Sequence, residues 1–323
     1  MKFGYTINNK LMMNSNGKLL GVDPYNPLNL PQGTIRVRTN DGQPPINGSY
    51  NRVTLVEGTT DVYDVFAGGD EFLYTLNGST NVIDVLGVNS EGKIHSNSMF
   101  HGCTALSSVP SFDTTKITNM DSMFEGCSSL TDAPYLYTSN VTHMWMIFKD
   151  CASLTSVPLY DTSKVTSAGG FIEAFMNCSS LTSVPLFDLS NTDTLDRTFY
   201  GCTSLVSVPK FDIANVYGMP STFENCTSLT TIPLFDTRNL KYMNNTFKNC
   251  TSLTSIPLFD TVNLMDMGYA FDNCVNVQSG ALALYKQAST QSIVPGHTHT
   301  FTYCGRDTQT GSAELAQIPS DWK

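Results

Sequence analysis

Charge is scarce in this chain of 323 residues, only 14% of which are charged. Basic residues are fewer than acidic ones, 18 against 28, and the net charge is −10. An acidic chain without a basic stripe excludes the electrostatic footprint of a nucleic-acid binder. Long apolar runs are missing as well. With no 18 consecutive apolar residues, no membrane-spanning helix is expected. Near the start, Leu11–Met13 and Leu19–Val22 are too short for the apolar core of a secretory leader, so none is expected there. Catalytic signatures are equally thin. Gly68-Gly69 and Gly169-Gly170 lack a phosphate-loop context, glutamate is sparse, and no Ser/His/Asp set stands out. The expectation is a non-enzymatic chain without cofactors.

What the chain does have is one motif written eight times. Cysteines fall at 103, 127, 151, 178, 202, 226, 250 and 274, spaced by 24 residues except for one interval of 27. Each follows a phenylalanine by three positions. The pairs are Phe100/Cys103, Phe124/Cys127, Phe148/Cys151, Phe175/Cys178, Phe199/Cys202, Phe223/Cys226, Phe247/Cys250 and Phe271/Cys274. A fixed period in this range signals a solenoid or array, because one unit cannot bury its apolar face alone and stacked units can.

Within a unit two apolar periods appear. Met120, Phe124 and Cys127 stand at i, i+4 and i+7, one face of a short helix. Gly or Asn before the cysteine suits a helix ending there. The next stretch, as in Leu229–Phe235, is β-branched, aromatic or Pro, and its length fits a short strand. Proline at 110, 134, 158, 185, 209, 233 and 257 removes a ladder donor, so that strand must be short or irregular. Parallel coils about 4.8 Å apart would carry like residues in ladders along one axis.

The unit Met-Phe-x-x-Cys-x-Ser-Leu-Thr-x-Val-Pro-x-Phe-Asp-Thr-Ser-x-Val-Thr-x-Met resembles the BspA-like leucine-rich repeats of bacterial surface proteins. The resemblance covers residues 96–280. It implies a mainly β, right-handed solenoid of eight coils with short helical turns, serving adhesion or recognition rather than catalysis. That family is typical of host-associated bacteria and of phages that infect gut bacteria. The resulting expectation is a virion fibre or decoration protein whose repeat surface contacts a host glycan or protein, assembled in the host cytoplasm. A bacterial surface adhesin and a cytoplasmic protein-binding scaffold are the alternatives. The Asp of the turn departs to Tyr137, and the following Thr departs to Leu189 and Ile213, so those coils are expected to turn differently.

The flanks divide in order. Residues 1–31, rich in Asn, Gly and Pro, read as an attachment arm holding other virion proteins, with a homo-oligomer expected. Residues 32–95 read as a small β domain capping the repeat. Its runs are Thr34–Thr39, Arg52–Val56, Asp61–Phe66, Phe72–Leu76 and Asn81–Leu86. Residues 281–323 read as an atypical C-terminal cap with a helix at Ala281–Ala288 and a strand at His297–Tyr303. The extra residues around Ser167–Phe171 should bulge from one coil.

Three side-chain sets in the sequence offer chemistry. Thiols 24 residues apart do not have zinc spacing; on an apolar face they behave as small hydrophobes, and reduced thiols fit folding in a cytoplasm. Asp113, Asp161, Asp188, Asp212, Asp236 and Asp260 could ligate Ca²⁺ or accept from backbone N–H two positions on, as Asx turns do. His297 and His299 alternate on the expected strand and form the candidate metal pair, against the plainer reading of surface histidines.

Overall fold

In the computed structural model the described residues are 28–45, 52–72, 74–166 and 170–323. The expected attachment arm lies outside them up to residue 27, as do residues 167–169 of the expected bulge. The last arm residues rest on the cap: Leu30 is buried, and its carbonyl accepts from Asn89 Nδ2 at 2.7 Å.

The cap is an antiparallel sheet of β1 (Thr34–Thr39), β2 (Arg52–Leu55), β3 (Val62–Phe66) and β4 (Val82–Val88), in the order β2-β3-β1-β4. Alternation decides its faces. Ile35 and Val37 are buried, while Arg36 turns out to pair with Asp64 at 2.6 Å. β4 joins the cap to the repeats. One edge pairs with β1, and on the other Ser107 N–H reaches Ile83 O at 2.9 Å while Val85 N–H reaches Ser108 O at 3.2 Å. The apolar end of the stack is therefore covered by paired backbone.

The Met-Phe-Cys segment is not helical, and the physical reason lies in its hydrogen bonds. Met99, His101 and Cys103 donate to the carbonyls three residues back, while Ser96, Ser98, Phe100 and Gly102 donate to Asn119, Asp121, Met123 and Glu125 of the next coil. Every second N–H is thus spent between coils, which an α-helix forbids. Two residues per coil take a left-handed φ, such as Ser98 (52°) and Gly102 (69°), or Asn245 (56°) and Asn249 (61°). The segment is a ribbon of linked tight turns with φ > 0 at the third position of every second one, Ser98 in turn 96–99 and Gly102 in turn 100–103.

The Leu-to-Phe stretch forms no continuous strand. Single parallel bridges such as Asp132–Ser156 and Ser255–Ser279 occur there, and Phe187, Phe211 and Phe259 each donate to the proline carbonyl two residues back. Proline's missing donor breaks the ladder into these pieces. The fold is mainly β in its pairing, with α1 (Ala281–Ser289) and α2 (Gln309–Gln317) as the helices of the described residues.

The ring of each coil lies on the ring of the next. Phe100, Phe124, Phe148, Phe175, Phe199, Phe223, Phe247 and Phe271 follow at centroid distances of 5.3–5.8 Å. The ladder does not stop there. Phe301 stacks on Phe271 at 5.9 Å, and Trp322 stacks on Phe301 at 6.3 Å. Phe301-x-x-Cys304 is a further rung after a longer excursion through α1. At the other end Leu76 takes the ring's place: its N–H donates to Met99 O, and Cys103 Sγ donates to its carbonyl. Residues 74–78 are thus turns, not the strand expected at Phe72–Leu76. The ladder is unbroken across the 27-residue interval, where Phe148 N–H reaches Ala174 O at 2.9 Å.

Candidate functional site

The ladder residues face inward. All nine cysteines are free and buried. Seven of the eight repeat thiols donate to the carbonyl of the Phe one coil earlier, as Cys127 Sγ does to Phe100 O at 3.1 Å, and Cys103 donates to Leu76 O in the same way. Burial pushes every repeat thiol up, Cys103 to about 12. Such thiols are poor nucleophiles and poor metal ligands at neutral pH. The turn aspartates are local. Oδ1 of Asp113, Asp161, Asp188, Asp212, Asp236 and Asp260 accepts from the N–H two residues on, at 2.9–3.4 Å.

His297 and His299 do not share a strand face. The segment is a turn ribbon: Thr300 N–H returns to His297 O at 3.1 Å, and His299 has φ 55°. The His297 ring lies on Trp322 at 4.1 Å, with Nδ1 2.8 Å from Pro295 O. The His299 ring lies 5.1 Å from Tyr269, with Nδ1 3.0 Å from Thr302 Oγ1. Among the described residues no group of three or more His, Cys, Asp or Glu is placed to hold a metal ion.

The outward chemistry sits elsewhere, on the residue between each proline and the second buried ring. In Pro-x-Phe the tight turn aims the Phe inward and x outward. That position holds Ser111, Tyr135, Leu159, Leu186, Lys210, Leu234 and Leu258, one after each repeat proline. The five apolar members are 54–62% exposed, whereas Leu136, Tyr160, Phe187, Phe235 and Phe259 beside them are buried. An apolar ledge therefore runs along the coils, with Lys210 its single charged member. The sequence carried this signal in the x of Pro-x-Phe, and repeat reasoning passed over it because x does not build the core.

The ledge opens into a cleft of about 440 Å³ at Tyr135, Leu159 and Leu186, walled by Tyr137, Thr138, Ser139, Tyr160, Asp161, Thr162 and Asp188. This is the coil in which Tyr137 replaces the turn Asp. The Tyr135 and Tyr137 rings meet edge to face at 5.8 Å. Tyr160 Oη donates to Pro134 O at 2.7 Å and fixes the floor. Thr114 and Thr162 donate to the carbonyls of Tyr137 and Asp188 in the next coil, at 2.9 and 2.7 Å. Thr138 does not: it is 3% exposed and its Oγ1 has no partner. The Asp161 carboxyl is held below the usual carboxylate range, chiefly by the Ser163 hydroxyl at 2.6 Å.

A second row was also missed. His95, Asn119 and His143 sit on consecutive bridged rungs. The signal was the 48-residue separation of the two histidines, twice the period. Further along, Glu173 takes φ 53° and binds Lys149 at 2.8 Å and Arg197 at 3.3 Å, tying three coils together.

Residues 94–172 and 169–283, more than half of the chain, match the model of the DUF285 family, described as a Mycoplasma protein of unknown function. No curated protein matches the sequence. Among solved structures, the chain is similar to a leucine-rich repeat protein of T. pallidum, TpLRR, at 17% identity over 73% of this chain and 86% of that one, with a TM-score of 0.37. It is also similar to a leucine-rich repeat protein from Eubacterium ventriosum, at 14% identity over 76% and 74% of the two chains with a TM-score of 0.43. One from Bacteroides ovatus gives 14% identity, 84% and 89% coverage, and a TM-score of 0.28.

Proposed function

The chain belongs to the DUF285 family, and from that premise we propose that it is a non-enzymatic recognition protein whose ledge binds a cell-surface glycan or protein. The observation that carries this reading is the ledge itself. Five large apolar side chains at one repeat position stand more than half exposed while every neighbour toward the core is buried. Exposed apolar side chains that recur at one repeat position, in runs of three and two on either side of Lys210, mark an interaction site. Repetition over five of the seven positions suits multivalent contact, in which weak single contacts sum to strong attachment.

The architecture proposed for it is one right-handed, LRR-like solenoid of eight coils, the hand that parallel crossovers take. The setting proposed is a virion fibre or decoration component, present in several copies and docked through residues 1–31. Nine unpaired thiols support folding in a reducing compartment. The family's description as a Mycoplasma protein favours a second reading, an adhesin on a bacterial surface.

Two measurements separate these. Fluorescently labelled protein is offered to a panel of bacterial and animal cells, and saturable binding to at least one is expected; none across the panel overturns recognition. The mass of the particle carrying the native protein is then compared with and without residues 1–31. Release of a soluble chain on deletion supports the virion setting, and attachment to the cell envelope supports the adhesin.

A further inference from the structure

We infer that the cleft between Tyr135 and Leu186 is a binding site for a neutral pyranose; the inference deepens the recognition reading and rests on it. Four observations coincide at this one place along the repeats. The ledge residue is aromatic, Tyr135, and more than half exposed. The turn residue is Tyr137 where six other coils have Asp. The cleft across these three coils reaches about 440 Å³, inside the roughly 300–1,000 Å³ of small-molecule sites. The Thr138 hydroxyl, buried in its wall, has no partner.

The last point is the most telling. A buried hydroxyl without a hydrogen bond is unfavourable, and the matching hydroxyls of Thr114 and Thr162 are both satisfied by the next coil. The oxygen is screened from solvent, and rotation of the Thr138 side chain would bring it to the cleft, where a ligand hydroxyl would supply the missing partner. The other polar groups suit the same ligand. Asp161 and Asp188 each use Oδ1 for their own turns. Among the described residues Oδ2 of both is uncommitted, so each can accept from a sugar hydroxyl. Tyr135, Leu159 and Leu186 offer an apolar rim for the C–H face of a pyranose ring, and an aromatic ring does this while keeping its hydroxyl in water.

Charge sets the class. The cleft is lined by two carboxylates and no basic residue. A uronic or sialic acid would bring a third carboxylate against them and is disfavoured. A neutral hexose satisfies every group named here without adding charge.

The test uses the full chain and saturation-transfer NMR with methyl glycosides of glucose, galactose and mannose. Glucuronic acid, N-acetylneuraminic acid and lysine amide serve as comparison probes. Transfer to at least one neutral glycoside is expected, weakened tenfold or more by Thr138→Val and by Tyr135→Ala and unchanged by Leu258→Ala. Thr138→Val preserves shape and removes only the unpartnered hydroxyl, so its melting temperature should stay level or rise; a fall would mean that the hydroxyl serves the fold and would overturn its assignment to a ligand. Absence of any neutral glycoside signal overturns the proposal, as does binding that Thr138→Val leaves intact or a preference for the acids or for lysine amide. If cells are bound through the ledge while no glycoside enters the cleft, the cleft inference alone falls. If no cell is bound, the broader reading falls with it.

Discussion

Cys250 donates its thiol proton to the carbonyl of Phe223 at 3.1 Å, one coil back. The same bond recurs at Cys127, Cys151, Cys178, Cys202, Cys226 and Cys274. It makes the thiols part of the stacking, and it makes the stack sensitive to alkali. Unfolded thiols ionise near pH 8.5, whereas burial raises the folded ones. Because the folded pKa is raised, the stabilisation is complete below the unfolded pKa and is lost as pH climbs above it. Each thiol contributes about 1.4 kcal/mol of loss per pH unit. Nine such groups outweigh a typical domain stability of about 5–15 kcal/mol within one or two pH units. Cooperative unfolding is expected between about pH 9 and 11, with thiolate absorbance appearing together with loss of near-ultraviolet circular dichroism. Thiolate appearing in a still-folded chain would contradict the shielding.

Cys250→Ala removes one donor and leaves a small void. A loss of about 1–3 kcal/mol is expected from the orphaned carbonyl and the cavity, read as a lower urea midpoint at unchanged slope.

Gly201 has φ 70°, and a Cβ there would stand 2.5 Å from Asn177 Oδ1. Asn already occupies the equivalent position at Asn177, Asn225, Asn249 and Asn273 with φ 60–65°. Asn249 and Asn273 each donate to the Asn one coil back, at 2.8 and 3.0 Å. Only the movable Asn177 amide has to turn. Gly201→Asn should therefore stabilise by about 0.5–1 kcal/mol, through a less flexible unfolded chain and a continued amide ladder. Gly201→Val should destabilise, since a β-branched residue does not tolerate this φ. Thermal melts of the two variants decide the sign.

Removing residues 226–249 joins Asn225 to Cys250 and restores the motif in register. Since a repeat touches only its neighbours, the shortened chain should still fold and melt cooperatively. Removing 12 residues, from 226–237, breaks the register and should abolish folding. Equal behaviour of both deletions would contradict stacking in register.

Glu173 holds Lys149 and Arg197 while being nine-tenths buried itself. Arg197 is half exposed, so its share is screened by solvent. Glu173→Gln should lower stability by about 1–2 kcal/mol, less so in molar salt. A salt-independent loss would assign the effect to packing.

Much of the fold was legible in the sequence because its signal repeats. The Phe and Cys register and the irregular proline stretch follow from period and composition. The turn ribbon was not legible. Ser98, Met146, Glu173 and Arg197 share one left-handed position that no common side chain announces, since inter-coil bonds impose it. Phe301-x-x-Cys304 escaped because α1 stretches that interval beyond the period, and the histidines beside it were read as a strand for the same reason. The cleft was half legible: Tyr137 was visible as a departure, but the unpartnered hydroxyl of Thr138 exists only in three dimensions.

Recognition is proposed to run along the Pro-x-Phe ledge. Its most direct test compares two pairs of apolar-to-acid changes, each with the same added charge. Leu234→Asp with Leu258→Asp acidifies the ledge, and Tyr217→Asp with Tyr242→Asp acidifies two exposed side chains at the Gly218–Tyr242 bridge. Binding to a cell type that holds the unmodified chain should fall at least tenfold for the ledge pair and stay near normal for the tyrosine pair. Loss confined to the tyrosine pair would place recognition away from the ledge and contradict the account.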